Sequence, residues 1–146
     1  MTLEILTTKT ELRDLIDAYA YLSDDKKIAE VMALFTKDAT YTVFINGAQI
    51  ASTTGTDLLE KEFNEHAALV KTYFTLNSQH TVNVNSETVT GVSFTQIKMI
   101  REVEGKDVIT DYSVKYEDIY VKQNHRWLIK ERVGHFVMIE ARTLNH

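Results

Sequence analysis

Apolar residues in the first half of the chain recur every three or four positions, which is the period of an amphipathic α-helix. One such stripe is formed by Leu12, Leu15, Ile16, Tyr19 and Leu22. Thr8 and Glu11 have the spacing of a capping box, which predicts that this helix begins at Thr8. Shorter stripes predict a second helix over 28–35 and a third over 57–70.

From residue 78 onward, apolar and polar residues alternate, which is the period of a β-strand. The predicted strands, separated by polar turns, are 78–85, 88–103, 107–122 and 126–139. The first of these turns is Ser86-Glu87. Asn46-Gly47 is a two-residue hairpin signal between a strand over 39–45 and its return over 48–52. A change of phase in the strand over 88–103 predicts a β-bulge near residues 95–96.

Helices in the first half and strands in the second favour an α+β fold over alternating βαβ units. We expect three N-terminal helices packed on a strongly curved, mixed and mostly antiparallel sheet. Such a sheet forms a cone with an internal pocket, because side chains cannot easily fill its wide end. The chain has 146 residues and no evident linker, so a single domain over 1–146 is predicted.

Composition narrows the class of protein. Hydrophobic residues make up 44% of the chain, which is enough for a sizeable core, and the net charge of −5 argues against a nucleic-acid partner. Lys130-Glu131-Arg132 is interpreted as a solvated basic face. The longest apolar run is 31–35, so no membrane partner and a cytoplasmic location are expected. Without cysteine the chain has no disulfide or thiolate metal site.

Two polar residues are the best candidates for chemistry. Asp24 lies at a predicted helix–helix junction, and His80 opens a later strand. A histidine, with a usual pKa of about 6.5, suits a general base, and a carboxylate on its other ring nitrogen would fix its tautomer. If Asp24 and His80 meet over an apolar cavity, the inward-facing Tyr112 and Tyr116 would donate hydrogen bonds to a developing oxyanion.

A series of short motifs supports this interpretation by its order and spacing. The motifs are Tyr19 with Asp24, Phe35-Thr36-Lys37-Asp38-Ala39, Gln79-His80, Tyr116 through Tyr120, and Trp127-Leu128-Ile129-Lys130. Over about residues 8–140 the chain resembles the SnoaL-like branch of the nuclear-transport-factor-like superfamily. The resemblance implies an α+β cone, a deep hydrophobic cavity for an apolar ligand, and a homodimer through the outer face of the sheet.

The resemblance also implies a function. In the dehydratases of this superfamily, an Asp at the position of Asp24 and a His at that of His80 act together. The chain departs from scytalone dehydratase at Ser23, where that enzyme has a Tyr, and at Met99, where it has a second His. We expect a lyase (dehydratase) or isomerase that acts on an apolar carbonyl compound without a cofactor or metal. Its catalytic residues would be Asp24 and His80, and its substrate-binding residues Tyr19, Tyr112, Tyr116 and Met99.

Each assignment has an alternative. The whole protein could be a non-catalytic small-ligand-binding protein of the same fold. Asp24 could only cap the second helix, and His80 could be a buried histidine satisfied by backbone. His66 shares an apolar stripe and fits a core or boundary position. Glu131 and His135 could form a buried pair, or a bend at the intervening glycine could turn His135 outward.

Overall fold

The computed structural model describes residues 2–85 and 87–145. Its elements in chain order are α1 (Leu3–Asp24), α2 (Ile28–Met32), β1 (Phe35–Ile45), β2 (Ala48–Thr54), α3 (Thr56–Ala68), β3 (Thr72–Val84), β4 (Val89–Val103), β5 (Lys106–Gln123) and β6 (Arg126–Thr143). The predicted turn at Ser86-Glu87 falls partly outside the described residues. None of the helices in the described part of the chain is long and apolar enough to cross a membrane.

The strands form one six-stranded sheet in the order β2-β1-β6-β5-β4-β3. β1 runs parallel to β6, and the other neighbours are antiparallel. The predicted α+β class, with three helices and a mixed, mostly antiparallel sheet, is therefore confirmed. The predicted strong curvature is wrong, because the sheet is not strongly curled and leaves β2 and β3 as its edges. The helices, rather than closure of the sheet, complete the wall of the internal space.

The local predictions divide between confirmed and wrong. The hairpin is confirmed, with positive φ angles of 50° at Asn46 and 82° at Gly47. The predicted start of the first helix is wrong, because Thr2 caps it by accepting a hydrogen bond of 3.1 Å from the Ile5 amide. Thr8 therefore lies inside α1.

The predicted bulge near residues 95–96 is wrong, and a bulge occurs instead on the neighbouring strand β3. β4 pairs with β5 without interruption from Val89 to Val103, so no bulge occurs near residues 95–96. The irregularity is in β3, where Asn77 pairs with Thr95 and His80 with Ser93. The extra residue reverses the alternation of side chains along β3. Another irregularity, between β5 and β6, reverses the alternation of side chains along β6 near Lys130.

The main core lies between the three helices and the inner face of the sheet. Its fully buried members include Leu12, Ile16, Val31, Leu59 and Ile129. Burial of each such side chain contributes roughly 1.5–3 kcal/mol to folding. This packing holds α1 against the inner faces of β3 and β6.

Candidate functional site

A cavity of about 390 Å³ lies between α1, α3 and the inner face of the sheet. Most of its wall is apolar and includes Ile28, Val43, Ile45, Ile50, Phe63, Ile97, Met99 and Phe136. This volume and a mainly apolar wall with a few convergent polar groups are typical of small-molecule sites.

Asp24, the last residue of α1, lines this cavity. Its Oδ2 accepts a hydrogen bond of 2.8 Å from the Thr75 amide, and its Oδ1 accepts one of 2.6 Å from Thr75 Oγ1. Asp24 does not cap α2, because the N-cap of that helix is Lys27. The residue of β3 that faces Asp24 is therefore Thr75, five positions before the histidine that the sequence suggested.

His80 lies elsewhere on β3. It is half-buried and does not belong to the described residues that line the cavity. Its Nε2 is 3.1 Å from Tyr120 Oη, and Tyr120 Oη donates a hydrogen bond of 2.8 Å to Asp118 Oδ2. Since Tyr120 donates to the carboxylate, its oxygen accepts from His80, which places the proton of the neutral imidazole on Nε2. Burial lowers the pKa of His80, and the nearby Asp118 opposes that shift.

The structure thus does not bring Asp24 and His80 together. The physical reason is distance along the strand, because His80 lies five residues beyond Thr75, which is roughly 16 Å in an extended strand. A catalytic role for either residue stays a prediction. The alternative was that backbone groups satisfy the hydrogen bonding of His80. It does not hold for Nε2, since that atom contacts a tyrosine hydroxyl.

Arg132 is a functional candidate that the sequence did not reveal. Its Nε and Nη2 donate to Asp118 at 2.9 and 3.3 Å, and the residue is only 2% exposed. The interpretation of Arg132 as part of a solvated basic face is wrong. The irregularity in strand pairing near Lys130 turns the Arg132 side chain inward. Asp118 could have been found, since it continues the inward alternation of Tyr112 and Tyr116 along β5.

Two aromatic rings enclose the guanidinium of Arg132. Its Cζ lies 4.3 Å from the ring centroid of Tyr19 and 3.8 Å from that of Tyr116. Burial by itself lowers the pKa of Arg132, but Asp118 and the neighbouring tyrosines outweigh it and raise the pKa. Arg132 is therefore charged, lines the cavity, and keeps its Nη1 buried without a hydrogen-bond partner among the described residues.

Three tyrosines line the cavity beside this arginine. Burial raises the pKa of Tyr19, Tyr41 and Tyr116, and their mutual proximity adds to the shift for Tyr19 and Tyr41. All three hydroxyls consequently stay protonated at neutral pH and can donate hydrogen bonds. Tyr41 was not among the site residues predicted from the sequence. Its position in the strand predicted over 39–45 was the one indication that it belongs to the sheet that lines the cavity.

A second polar group lies at the α3 side of the cavity. His66 Nδ1 is 2.6 Å from Tyr73 Oη, and the two rings stack with their centroids 5.9 Å apart. Burial, with Tyr112 and Asp24 nearby, raises the pKa of Tyr73 to about 12. Burial and Arg101 lower the pKa of His66. His66 is thus a neutral imidazole at neutral pH that lines the cavity and is partly open to solvent, so of the predicted core and boundary positions it occupies a boundary one.

The predicted substrate-binding residues all line the cavity, although contact with a ligand stays a prediction. They are Tyr19, Tyr112, Tyr116 and Met99. His135 does not form a buried pair with Glu131, because its Nε2 lies 2.7 Å from Glu117 Oε1 and its ring stacks on Phe44. Within residues 2–85 and 87–145, no three His, Asp or Glu side chains cluster closely enough to hold a metal ion.

Three helices on a mixed sheet, with an apolar cavity and a few polar groups between them, define a class of α+β proteins with an internal small-molecule pocket. A family model, the SnoaL-like domain, matches residues 4–133. The chain therefore belongs to the SnoaL-like domain family, as its motifs indicated. No curated protein matches the chain in sequence.

Similar solved structures support the fold. A candidate scytalone dehydratase from Novosphingobium aromaticivorans DSM 12444 has 23% identity and a TM-score of 0.83, over 99% of this chain and 94% of that one. The hexachlorocyclohexane dehydrochlorinase LinA-type3 from Novosphingobium barchaimii LL02 has 16% identity and a TM-score of 0.79, over 99% and 96%. At these identities the similarity shows a shared fold, and the chemistry of this chain has to be argued from its own site.

Proposed function

We propose that the protein is a lyase or isomerase that removes a proton next to the carbonyl group of an apolar small molecule. The observation that carries this proposal is the presence of Asp24 in an apolar cavity whose wall also holds three protonated tyrosine hydroxyls and Arg132. A base and a set of donors in one water-poor space are the two requirements of such chemistry. Asp24 takes the role of base alone, because His80 lies outside the cavity.

The proposed reaction begins when the Asp24 carboxylate accepts the proton from the carbon next to the carbonyl. The electron pair of the broken C–H bond moves to the carbonyl oxygen and forms an enolate, which the tyrosine hydroxyls and Arg132 stabilise. Return of the proton from Asp24 to another carbon completes a double-bond migration. In an elimination, the enolate instead expels a β-hydroxyl group, which leaves as water with the proton from Asp24. Thr75 holds the carboxylate in place throughout.

Proton removal is tested by exchange of the C–H hydrogens of β-tetralone for deuterium in heavy water, followed by mass spectrometry. The Asp24→Asn variant keeps the shape of the side chain and should lose at least about 100-fold in exchange rate, as expected for loss of a general base. Asp25→Asn changes an exposed neighbour and serves as the matched control. Equal exchange rates for wild type and Asp24→Asn would exclude Asp24 as the base.

Non-catalytic ligand binding is the second candidate function. It is supported by the two hydrogen bonds from Thr75, which occupy both oxygens of the Asp24 carboxylate. In addition, no described imidazole is hydrogen-bonded to Asp24. β-Tetralone that binds the wild type but takes up no deuterium above the buffer rate would favour this function.

We also propose that the protein forms a homodimer through the outer face of the sheet. Leu76, Phe94 and Met138 are 57%, 45% and 63% exposed on that face. They surround the hydrogen-bonded pair Gln96 and Ser113, which lies between Leu76 and Met138 in the strand register. Sedimentation velocity should show a dimer in the wild type and a monomer in Leu76→Glu. A monomeric wild type would rule out the proposal.

A further inference from the structure

The mouth of the cavity lies between α3 and the edge strand β2. Of the described residues that line the cavity, four are exposed to solvent, and all four belong to these two elements. They are Ile50, Ala51, Glu62 and His66. The other described residues of the wall are buried or half-buried. The cavity therefore opens to solvent on the side where His66 lies.

His66 connects this mouth with the interior through Tyr73. His66 Nδ1 lies 2.6 Å from Tyr73 Oη, and Tyr73 is half-buried in the cavity wall. Side chains two residues apart in a strand share a face, so Tyr73 lies on the same face of β3 as Thr75, which holds Asp24. Asp24 is near enough to contribute to the raised pKa of Tyr73. The pair thus links solvent with the part of the cavity that holds the candidate base.

We propose that Tyr73 is a catalytic residue that gives its hydroxyl proton to the carbonyl oxygen of the ligand, and that His66 replaces this proton from solvent. The inference rests on the proposed function, because it assumes that Asp24 removes a proton next to that carbonyl. The pair suits this role, since a phenol hydroxyl can donate and accept at once and an imidazole can carry a proton on either nitrogen. Of the described histidines, His66 is the one that lines the cavity.

The proton transfers balance without leaving a charge on the ligand. Asp24 accepts the proton of the C–H bond, whose electron pair forms the C=C bond of an enol, while the carbonyl oxygen accepts the hydroxyl proton of Tyr73. Tyr73 Oη in turn accepts the Nδ1 proton of a His66 imidazolium, whose remaining proton stays on Nε2. Asp24 and His66 are both neutral after the step. A neutral enol is favoured over an enolate, because the mainly apolar wall solvates charge poorly.

The imidazolium form of His66 determines how the rate depends on pH. Burial and Arg101 of β4 lower the pKa of His66. The other titratable groups beside it are Tyr73 of β3, whose pKa of about 12 keeps it protonated, and Glu62, one turn earlier on α3. The proton supply should therefore weaken as pH rises through the lowered pKa of His66, which lies below the usual value of about 6.5.

The contact between Tyr73 and the ligand oxygen is tested by binding alone. The probes are 2-naphthol, which resembles the enol of β-tetralone, and 2-methylnaphthalene, in which a methyl group replaces the hydroxyl. Fluorescence titration of the wild type should show at least about fivefold tighter binding of 2-naphthol, as expected for one hydrogen bond. Tyr73→Phe should remove most of this preference and leave the binding of 2-methylnaphthalene unchanged. Tyr21→Phe, at a tyrosine that is 58% exposed on α1, is the matched control.

Three results of this titration would overturn the proposal. They are a wild type without preference for 2-naphthol, a preference that survives in Tyr73→Phe, and a variant that loses affinity for both probes equally. The last result would show that Tyr73 only maintains the shape of the cavity.

The proton supply is tested by deuterium uptake of β-tetralone at several pD values. In the wild type, the uptake rate should fall as pD rises through the pKa of His66. His66→Asn keeps a hydrogen-bonding group near Tyr73 Oη but cannot titrate. Its uptake rate at the acidic end should be at least about tenfold lower and independent of pD, while 2-naphthol binding is kept. His125→Asn, at an exposed histidine of the turn between β5 and β6, is the matched control. A wild-type rate and pD profile in His66→Asn would overturn the proposal, as would an equal loss of binding and uptake.

Failure of this inference can be distinguished from failure of the proposed function. Asp24-dependent uptake that is unaffected by Tyr73→Phe and His66→Asn would leave Asp24 as the base and overturn the proton supply. A wild type without Asp24-dependent uptake would overturn the proposed catalysis together with the proton transfer. The preference for 2-naphthol would then still decide whether Tyr73 binds the ligand oxygen.

Discussion

Substitution of Asp118 by asparagine should destabilise the protein strongly. The variant keeps the shape of the side chain but leaves the guanidinium of Arg132, only 2% exposed, without its counter-charge. Removal of one partner of a buried ion pair costs about 3–5 kcal/mol of unfolding free energy. For 146 residues with an unfolding entropy of about 2.1 cal/mol/K per residue, that loss lowers Tm by roughly 10–16 °C. Urea and thermal unfolding followed by circular dichroism measure both quantities.

A double-mutant cycle makes this prediction specific to the pair. Arg132→Met alone should also be strongly destabilising, whereas the double variant with Asp118→Asn should lose less than the sum of the single losses. Arg142→Met is the surface control, because its ion pair with Asp111 is solvent-screened and should contribute far less to stability than the buried pair. A loss of under about 1 kcal/mol for Asp118→Asn would refute the view that Arg132 depends on this carboxylate.

Three further predictions follow from single contacts. Because burial lowers the pKa of His80, the unfolded chain binds a proton near pH 6.5 that the folded chain does not, so the free energy of unfolding should fall as pH decreases below about 6.5. Urea titrations at several pH values should show that the free energy of unfolding falls less steeply with decreasing pH in His80→Gln than in the wild type. The remaining pH dependence comes from His66, whose pKa is also lowered, and an unchanged dependence would contradict the lowered pKa of His80. Thr75→His should place an imidazole beside Asp24 and raise deuterium uptake by β-tetralone at least about tenfold, and no gain would argue against base chemistry there. Thr2→Ala should cost about 1 kcal/mol in urea unfolding through loss of the α1 cap, and a cost near zero would mean that the cap is not formed in solution.

Much of the fold could be predicted because it depends on local periodicity. Apolar residues at helical spacing predicted the three helices, and alternation predicted the strands of the sheet. Asn46-Gly47 predicted its hairpin, since both residues accept positive φ angles. Alternation along β5 also predicted that Tyr112 and Tyr116 face inward, and both line the cavity. These features follow from the preferences of neighbouring residues.

The site depended on register, which the sequence alone did not determine. A side chain in a strand reverses its direction with every residue, so one extra residue in β3 decides which face of the sheet carries His80. Asp24 meets Thr75 instead, because His80 lies five residues further along the strand, roughly 16 Å away. A second extra residue, near Lys130, turns Arg132 from the expected surface into the core beside Asp118. Whether a strand takes up such a residue depends on its partner strand, which is remote in the chain. The sequence therefore determined which elements form and which aromatic residues face inward, while only the tertiary structure decided which polar groups meet.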